Sequence, residues 1–238
     1  MIYKYLLLVI VLIYLLYRYI NIKQKPIIIS VEGNIGVGKS TLITIISQLL
    51  KNNCEIIYEP IDLWQTIKNT ENKNILKLFY EDKLKWAFTF QMIAGLSIIQ
   101  NLINILKTTK KKYIFLDRSF LTTKYAFEKM LYDDGIISDI EHTTYNLLCN
   151  IYDNTIFKDY KHIHIYLKCD STISFERIKK RNRSEEINVS LEYLQKLNKY
   201  HDMWLLNNDD VFVIDCNNNT LDNINWYKNI LNNIKIKL

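Results

Sequence analysis

Eight consecutive residues, Gly33-Asn34-Ile35-Gly36-Val37-Gly38-Lys39-Ser40, constrain the fold of this chain more than any other feature. They match the pattern G-x-x-x-x-G-K-[ST], which carries meaning only between a strand and the first turn of a helix. That context is present. Residues 27–32 form a short apolar run into the loop, and residues 41–50 read as a helix behind it. Glycines let successive backbone N–H groups curl around phosphate oxygens with no Cβ in the way. The helix N-terminus adds favourable partial charge. Lys39 is expected to reach the β- and γ-phosphates and Ser40 to hold Mg2+, with Thr41 completing the nucleotide-binding set. Taken alone, the loop says only that the chain binds a nucleoside triphosphate.

Further short apolar runs read as strands at 55–59, 113–117, 162–168 and 211–215. Most lack a polar face, as strands buried on both sides of a parallel sheet do. Helical stretches separate them at 74–107, 122–153, 172–181, 191–205 and 221–237. This alternation predicts a doubly wound α/β fold, a five-stranded parallel sheet flanked by helices. There is no internal repeat. Residues 26–238 read as one domain, preceded by a distinct segment, 1–25.

Net charge is +6, but Lys4, Arg18, Lys23 and Lys25 all precede the first acidic residue, Glu32. The domain behind them is nearly balanced and lacks the electrostatic footprint of a nucleic-acid binder. The four cysteines, Cys54, Cys149, Cys169 and Cys216, stand at no metal-ligand spacing and form no dense disulfide pattern. They read as reduced thiols packed like small hydrophobes. His162 and His164 alternate on one strand and point to one face, as core or strand-surface histidines.

The first twenty residues, MIYKYLLLVIVLIYLLYRYI, are the most hydrophobic in the chain. Their uncharged part, 5–17, spans about 20 Å as a helix. Snorkelling of Lys4 and Arg18 brings that close to the roughly 30 Å of a bilayer core. Tyrosines at both ends suit the interface. No small-residue cleavage site follows, and the composition is not that of a mitochondrial presequence. Residues 1–22 are expected to anchor the protein to a membrane. The heavier positive flank on the C-terminal side would leave the domain in the cytoplasm. A helix packed on the domain or on a partner is the other reading.

After the loop come Glu59-Pro60-Ile61-Asp62-Leu63-Trp64, then Tyr80-Glu81, Trp86-Ala87-Phe88-Thr89-Phe90-Gln91, Asp117-Arg118-Ser119, and a basic stretch from Arg177 to Glu186 ending R-x-R-x-E-E. Each is weak alone. In this order and spacing the chain resembles the deoxynucleoside kinase family of deoxycytidine, deoxyguanosine and mitochondrial thymidine kinases, from residue 27 almost to the C-terminus. The resemblance implies transfer of the ATP γ-phosphate, with Mg2+, to the 5′-hydroxyl of a deoxynucleoside, by a homodimer.

A carboxylate at the carboxyl edge of an α/β sheet can take a proton from an attacking hydroxyl. The resemblance makes Glu59 that general base. Asp117 can order Mg2+ or its waters, and Arg118 can steady Glu59 and the developing phosphoryl charge. Many family members carry Glu where this chain has Asp117. A glutamine amide both donates and accepts, which suits a base edge. By resemblance Gln91 reads the base, Phe90 and Phe127 sandwich it, Trp64 closes the pocket, and Tyr80 and Glu186 hold the sugar 3′-hydroxyl. Arg177 and Arg181 share a helix face. With Arg183 they align with the family's lid, which closes over the ATP phosphates and excludes water.

Members favouring deoxycytidine and purines place an Arg seven residues after the base-reading Gln and an Asp four after the Ser of the E/D-R-S motif. Here those positions hold Ile98 and Thr123, an arrangement that resembles members favouring thymidine and other pyrimidines. A thymidylate kinase shares the loop and the Asp-Arg pair but needs extra cations for a monophosphate acceptor. A membrane-tethered, non-catalytic nucleotide-binding module is the rival of another class, and the retained Glu59, Arg118 and lid arginines argue against it.

Overall fold

The computed structural model describes residues 25–51, 53–183, 186, 189–218 and 223–236. The expected anchor, residues 1–22, lies outside them. β1 (Ile27–Glu32), β2 (Cys54–Ile57), β3 (Tyr113–Asp117), β4 (His162–Lys168) and β5 (Val211–Asp215) form one parallel sheet in the order β2-β3-β1-β4-β5. Ile29 of β1 stands opposite Phe115 of β3 and Ile163 of β4. From β1 the chain crosses to β2 and returns through β3 on one side, then passes to β4 on the other side of β1. That divergence opens a crevice at the carboxyl ends of the strands.

The period-two alternation of the strands feeds two separate cores. Ile29, Val31, Phe115, Ile165 and Leu167 pack with α1 (Lys39–Leu49) and the C-terminal helix, including Leu42, Ile46, Tyr227 and Leu231. Ile28, Ile114 and Leu116 point the other way, onto Ile98, Leu102, Tyr145 and Cys149. The central strands β1, β3 and β4 are buried on both faces, which explains why they read as unbroken apolar runs, whereas the edge strand β5 leaves Val213 open.

The expected elements change in detail. β2 stops at Ile57, where its partner register on β3 reaches Leu116, so Tyr58 and Glu59 lie beyond the strand. A short helix, α2 (Ile61–Thr66), follows Pro60 and was not expected. The expected helix 74–107 is two, α3 (Ile75–Glu81) and α4 (Lys83–Thr108). Asp82 leaves helical geometry between them, and its side chain accepts the Lys85 N–H as an N-cap.

The expected helix 122–153 is likewise divided. α5 runs through Phe120–Thr122, a π-helical stretch Thr123–Glu128, and Lys129–Asp133. Gly135 then turns the chain at φ 67°, and a Ser138–Glu141 capping box starts α6 (Asp139–Thr155). Behind β4 come α7 (Ser171–Arg181) and α8 (Leu191–Leu205), and α9 (Ile224–Asn233) closes the described chain. All four cysteines are free thiols, three of them buried. His164 is buried with its Nδ1 2.7 Å from Ser30 Oγ.

Candidate active site

Two cavities meet at the loop between β1 and α1. One, of about 500 Å3, is lined from the loop through Glu59, Trp64, Tyr80, Phe90, Gln91, Asp117, Arg118, Thr123 and Phe127 to Arg181, Arg183, Glu186 and Tyr193. The other, of about 340 Å3, runs along Gly36–Leu42 to Arg177, Cys216, Trp226 and Tyr227. Lys39, Ser40, Arg181 and Arg183 line both. Two chambers joined across a phosphate loop have the shape required for a donor and an acceptor.

The loop conformation depends on its glycines. At Gly33 (φ 135°) a Cβ would sit 2.7 Å from the Leu167 carbonyl, and at Gly36 (φ 82°) 2.7 Å from that of Ser174. Asn34 holds the loop from within. Its Oδ1 accepts the Ile35 N–H at 2.8 Å, and its Nδ2 donates to Leu194 O at 2.8 Å and Asn198 Oδ1 at 2.5 Å on α8. Val37 is buried in the core, whereas Thr41 and Ser40 are exposed at the start of α1. Lys39 Nζ donates back to Asn34 O at 2.8 Å and Gly33 O at 3.2 Å. Burial, helped by the nearby Arg118 guanidinium, lowers its pKa to about 8 against the pull of Asp117, Glu59 and Glu32. A phosphate would restore that ammonium's full charge.

Ser40 Oγ donates to Asp117 Oδ2 at 2.5 Å, while Asp117 Oδ1 is buried with no hydrogen-bond partner. A hydroxyl against a carboxylate with one oxygen unspent, beside the phosphate loop, fits a hard divalent cation completed by phosphate and water oxygens. Among the described residues no cluster of three or more His, Cys, Asp and Glu supplies a cation site of its own.

Arg118 follows with φ 76°, a left-handed backbone that a residue with a Cβ adopts at a cost. Its guanidinium carbon lies 4.7 Å from the centre of the Phe127 ring, and its Nε is 3.3 Å from Glu59 Oε1. Arg118 Nη1 is buried without a hydrogen-bond acceptor, so cationic capacity remains for a ligand. Glu59 is two residues past β2, held by Pro60 at the head of α2 rather than by the strand itself.

At the far end of the larger cavity, buried Gln91 presents its amide. Phe90 stacks on Phe79 at 4.9 Å and meets Trp64 edge to face at 5.3 Å. Trp64 in turn donates from Nε1 to Ser97 Oγ at 3.1 Å. Phe127 lines the same cavity from the π-helical stretch. Thr123 lines it too, but its hydroxyl is engaged in the wall, donating to Phe120 O at 2.6 Å and lying 2.5 Å from Tyr145 OH.

Ile98 is a correction. It is 3% exposed, belongs to the core with Phe120 and Tyr145, and does not line the cavity. Seven residues along a helix return to the same face but lie about 10 Å further on, which puts Ile98 beneath the wall.

The basic residues divide. Arg177 is fastened, Nη2 donating to Cys216 O at 3.0 Å and Nη1 to Val37 O at 3.4 Å. Arg181 donates to Glu186 Oε1 at 2.6 Å, and Arg183 stands 3.8 Å from the same oxygen. Glu186 and Tyr80 both line the larger cavity. Burial, with Tyr193 and Glu186 nearby, raises the Tyr80 phenol well above its ordinary pKa. Tyr193 and Asn198 escaped sequence reasoning. One is an aromatic and the other an amide on an amphipathic helix, with no motif to separate them from ordinary helix residues.

A phosphate loop at the switch point of a parallel sheet, with a carboxylate–arginine pair facing a second chamber, defines a P-loop phosphotransferase with a small acceptor. The deoxynucleoside kinase family model matches residues 29–238, and the chain belongs to that family. It is 36% identical to a probable deoxycytidine kinase of fowlpox virus (strain NVSL), over 87% of this chain and 86% of that one. It is 33% identical to the deoxycytidine kinase of Homo sapiens, over 75% of each. It is 32% identical to the mitochondrial deoxyguanosine kinase of Xenopus laevis, over 74% and 72%. The chain is accordingly a deoxynucleoside kinase.

Proposed function

We propose that this kinase transfers the γ-phosphate of ATP to the 5′-hydroxyl of a pyrimidine deoxynucleoside, thymidine included, in nucleotide salvage. The observation that carries the reading is the larger cavity, where Glu59 and Arg118 face one end and Gln91 the other. The acceptor lies with its base against Gln91, between Phe90 and Phe127, and its sugar toward Tyr80 and Glu186. Glu59 takes the 5′-hydroxyl proton as that oxygen bonds to the γ-phosphorus and the bridging bond to ADP breaks. Lys39 and the loop N–H groups hold the phosphates, and Arg118 balances charge on the transferring group. Mg2+, when held by Ser40 and Asp117, neutralises phosphate charge. Arg181 and Arg183 border both chambers and complete the phosphate surround on closure.

Discrimination among bases rests on the wall formed by Ala94 and Thr123, which shows no ionised group beside Gln91. Deoxycytidine, the substrate named for two of the relatives, is a pyrimidine this pocket also accommodates. Ile140, Leu147 and Ile151 form an exposed apolar stripe on α6, 79%, 61% and 62% exposed, which supports a homodimer. The test is a panel of thymidine, deoxycytidine, deoxyadenosine, deoxyguanosine and dTMP with ATP and Mg2+. Phosphorylation of a pyrimidine nucleoside is expected. A purine preference of tenfold or more would refute the base assignment, and turnover of dTMP alone would refute the nucleoside acceptor.

A further inference from the structure

Glu32, the last residue of β1, is fully buried, and nothing in the transfer chemistry above uses it. A buried carboxylate survives only with its oxygens satisfied. Here Oε1 accepts the backbone N–H of Ser119 at 3.2 Å, and Oε2 accepts a very short hydrogen bond from Thr122 Oγ1. His164 Nδ1 is 3.9 Å from Oε1, but that ring is engaged by Ser30 and pushed toward its neutral form by burial. Both oxygens of Glu32 are therefore spent on the N-cap residue Ser119 and the first turn of α5, which begins two residues after Arg118.

Arg118 needs such a clamp. Its backbone is left-handed at φ 76°, and its own N–H donates to Val31 O at 3.1 Å. With Ser119 N–H on Glu32, two successive amides of this turn are pinned to the last two residues of β1. Released, the turn would relax toward ordinary φ, and the guanidinium would leave its place 3.3 Å from Glu59 Oε1. Glu32 also directly precedes Gly33, so the phosphate loop and the Arg118 turn share one anchor.

We propose that Glu32 is a positioning residue for phosphoryl transfer, whose carboxylate holds Arg118 in its left-handed conformation and so aims the guanidinium at Glu59 and the transferring group. This rests on the reading of Arg118 given above. A misplacement of about 1 Å in such a group can cost on the order of 10²-fold in rate.

The test is steady-state kinetics and thermal melting of Glu32→Ala, Glu32→Gln and Thr122→Val, each with and without Arg118→Ala. Glu32→Ala is expected to lower kcat by about 30-fold or more with both KM values within about threefold, because Glu32 itself lines neither cavity. Glu32→Gln should recover most of that loss, since its carbonyl accepts from Ser119 and its amide donates to Thr122 Oγ1. Added to Arg118→Ala, Glu32→Ala should cost less than about threefold, as residues acting through one group do. Multiplying losses, or a rise in KM at unchanged kcat, would overturn the proposal. If Glu32→Ala does not fold, Thr122→Val removes one of the two bonds in an isosteric change, and the same cycle with Arg118→Ala decides. Wild-type turnover of Arg118→Ala would instead refute the role of Arg118 itself, and the positioning role with it.

Discussion

Glu59 Oε1 stands 3.3 Å from Arg118 Nε, joining the head of α2 to the turn after β3 across the mouth of the acceptor chamber. Arg118 is nearly buried while Glu59 keeps 25% of its side chain open. The acid thus meets a hydroxyl from the cavity while the cation behind it stays fixed.

Glu59→Gln keeps the shape of that group and removes the proton acceptor. The expected result is a fall in kcat of about 10²-fold or more, the range of general-base loss, with ATP binding kept. Stopped-time assays and a nucleotide-binding titration on the folded variant measure the two separately. Near-wild-type turnover would remove Glu59 from the mechanism.

The sheet was legible because its chemistry is repetitive. β1, β3, β4 and β5 appear at the bounds their apolar runs indicate, each covered on at least one face by a core layer. The expected strand 55–59 runs two residues past the end of β2 and begins one after its start at Cys54. Tyr58 and Glu59 continue the strand composition, but pairing with β3 ends at Leu116, and Pro60 has no N–H to extend it. The break at Asp82 is hidden because the charged run Glu81-Asp82-Lys83 also reads as the solvent face of one helix, although the Asp82 side chain caps the next. In the site, Glu59, Gln91, Asp117 and Arg118 were legible through ordered motifs. Ile98 was misplaced because spacing along a helix gives the face and not the depth. Tyr193, whose hydroxyl is buried without a hydrogen-bond partner beside the cavity, has no sequence signal at all.

His201 on α8 gives the fold an acid-sensitive point. It is fully buried, its Nδ1 lies 2.8 Å from Leu197 O, and its ring stacks on Tyr166 at 6.3 Å. Burial, with Arg118 nearby, lowers its pKa from 6.5 to about 3. The unfolded chain then binds a proton that the folded chain refuses between those values. Stability is full above pH 6.5 and falls as pH drops toward 3, by at most about 1.4 kcal/mol per pH unit from this group. Urea midpoints between pH 4.5 and 7.5 should show the slope, and His201→Phe should flatten it. An unchanged slope in that variant would assign the acid sensitivity elsewhere.

Removal of residues 1–21 should leave an active kinase, because every site residue lies after Pro26 and the described domain closes its own cores. The full-length chain is expected to sediment with membranes and resist carbonate extraction, and the truncated chain to stay in the supernatant with unchanged kcat. Full-length protein soluble without detergent, or a truncation that fails to fold, would point to a helix packed on the domain.

Thr123 gives the sharpest test of the base pocket. Its hydroxyl donates to Phe120 O at 2.6 Å, so the 2.5 Å contact with Tyr145 is a phenol donating to Thr123 Oγ1. The hydroxyl thereby serves inside the wall as donor and as acceptor, so the methyl is the part of Thr123 expected to meet a base. Thr123→Val should therefore leave the ranking of the four deoxynucleosides unchanged, with each kcat/KM within about threefold of wild type. The same variant strands the buried Tyr145 hydroxyl and should lose about 1–3 kcal/mol of stability. Thr123→Ser makes the opposite change. It keeps the hydroxyl bonds and the stability they bring, but removes the methyl and relaxes discrimination against purines. Ile98→Arg, by contrast, places a charge among Phe120, Tyr145 and Leu102 and is expected to unfold the chain rather than switch its base. Kinetics across the panel and melting curves for the three variants settle the matter. A change of base ranking in Thr123→Val would mean that the hydroxyl faces the substrate after all.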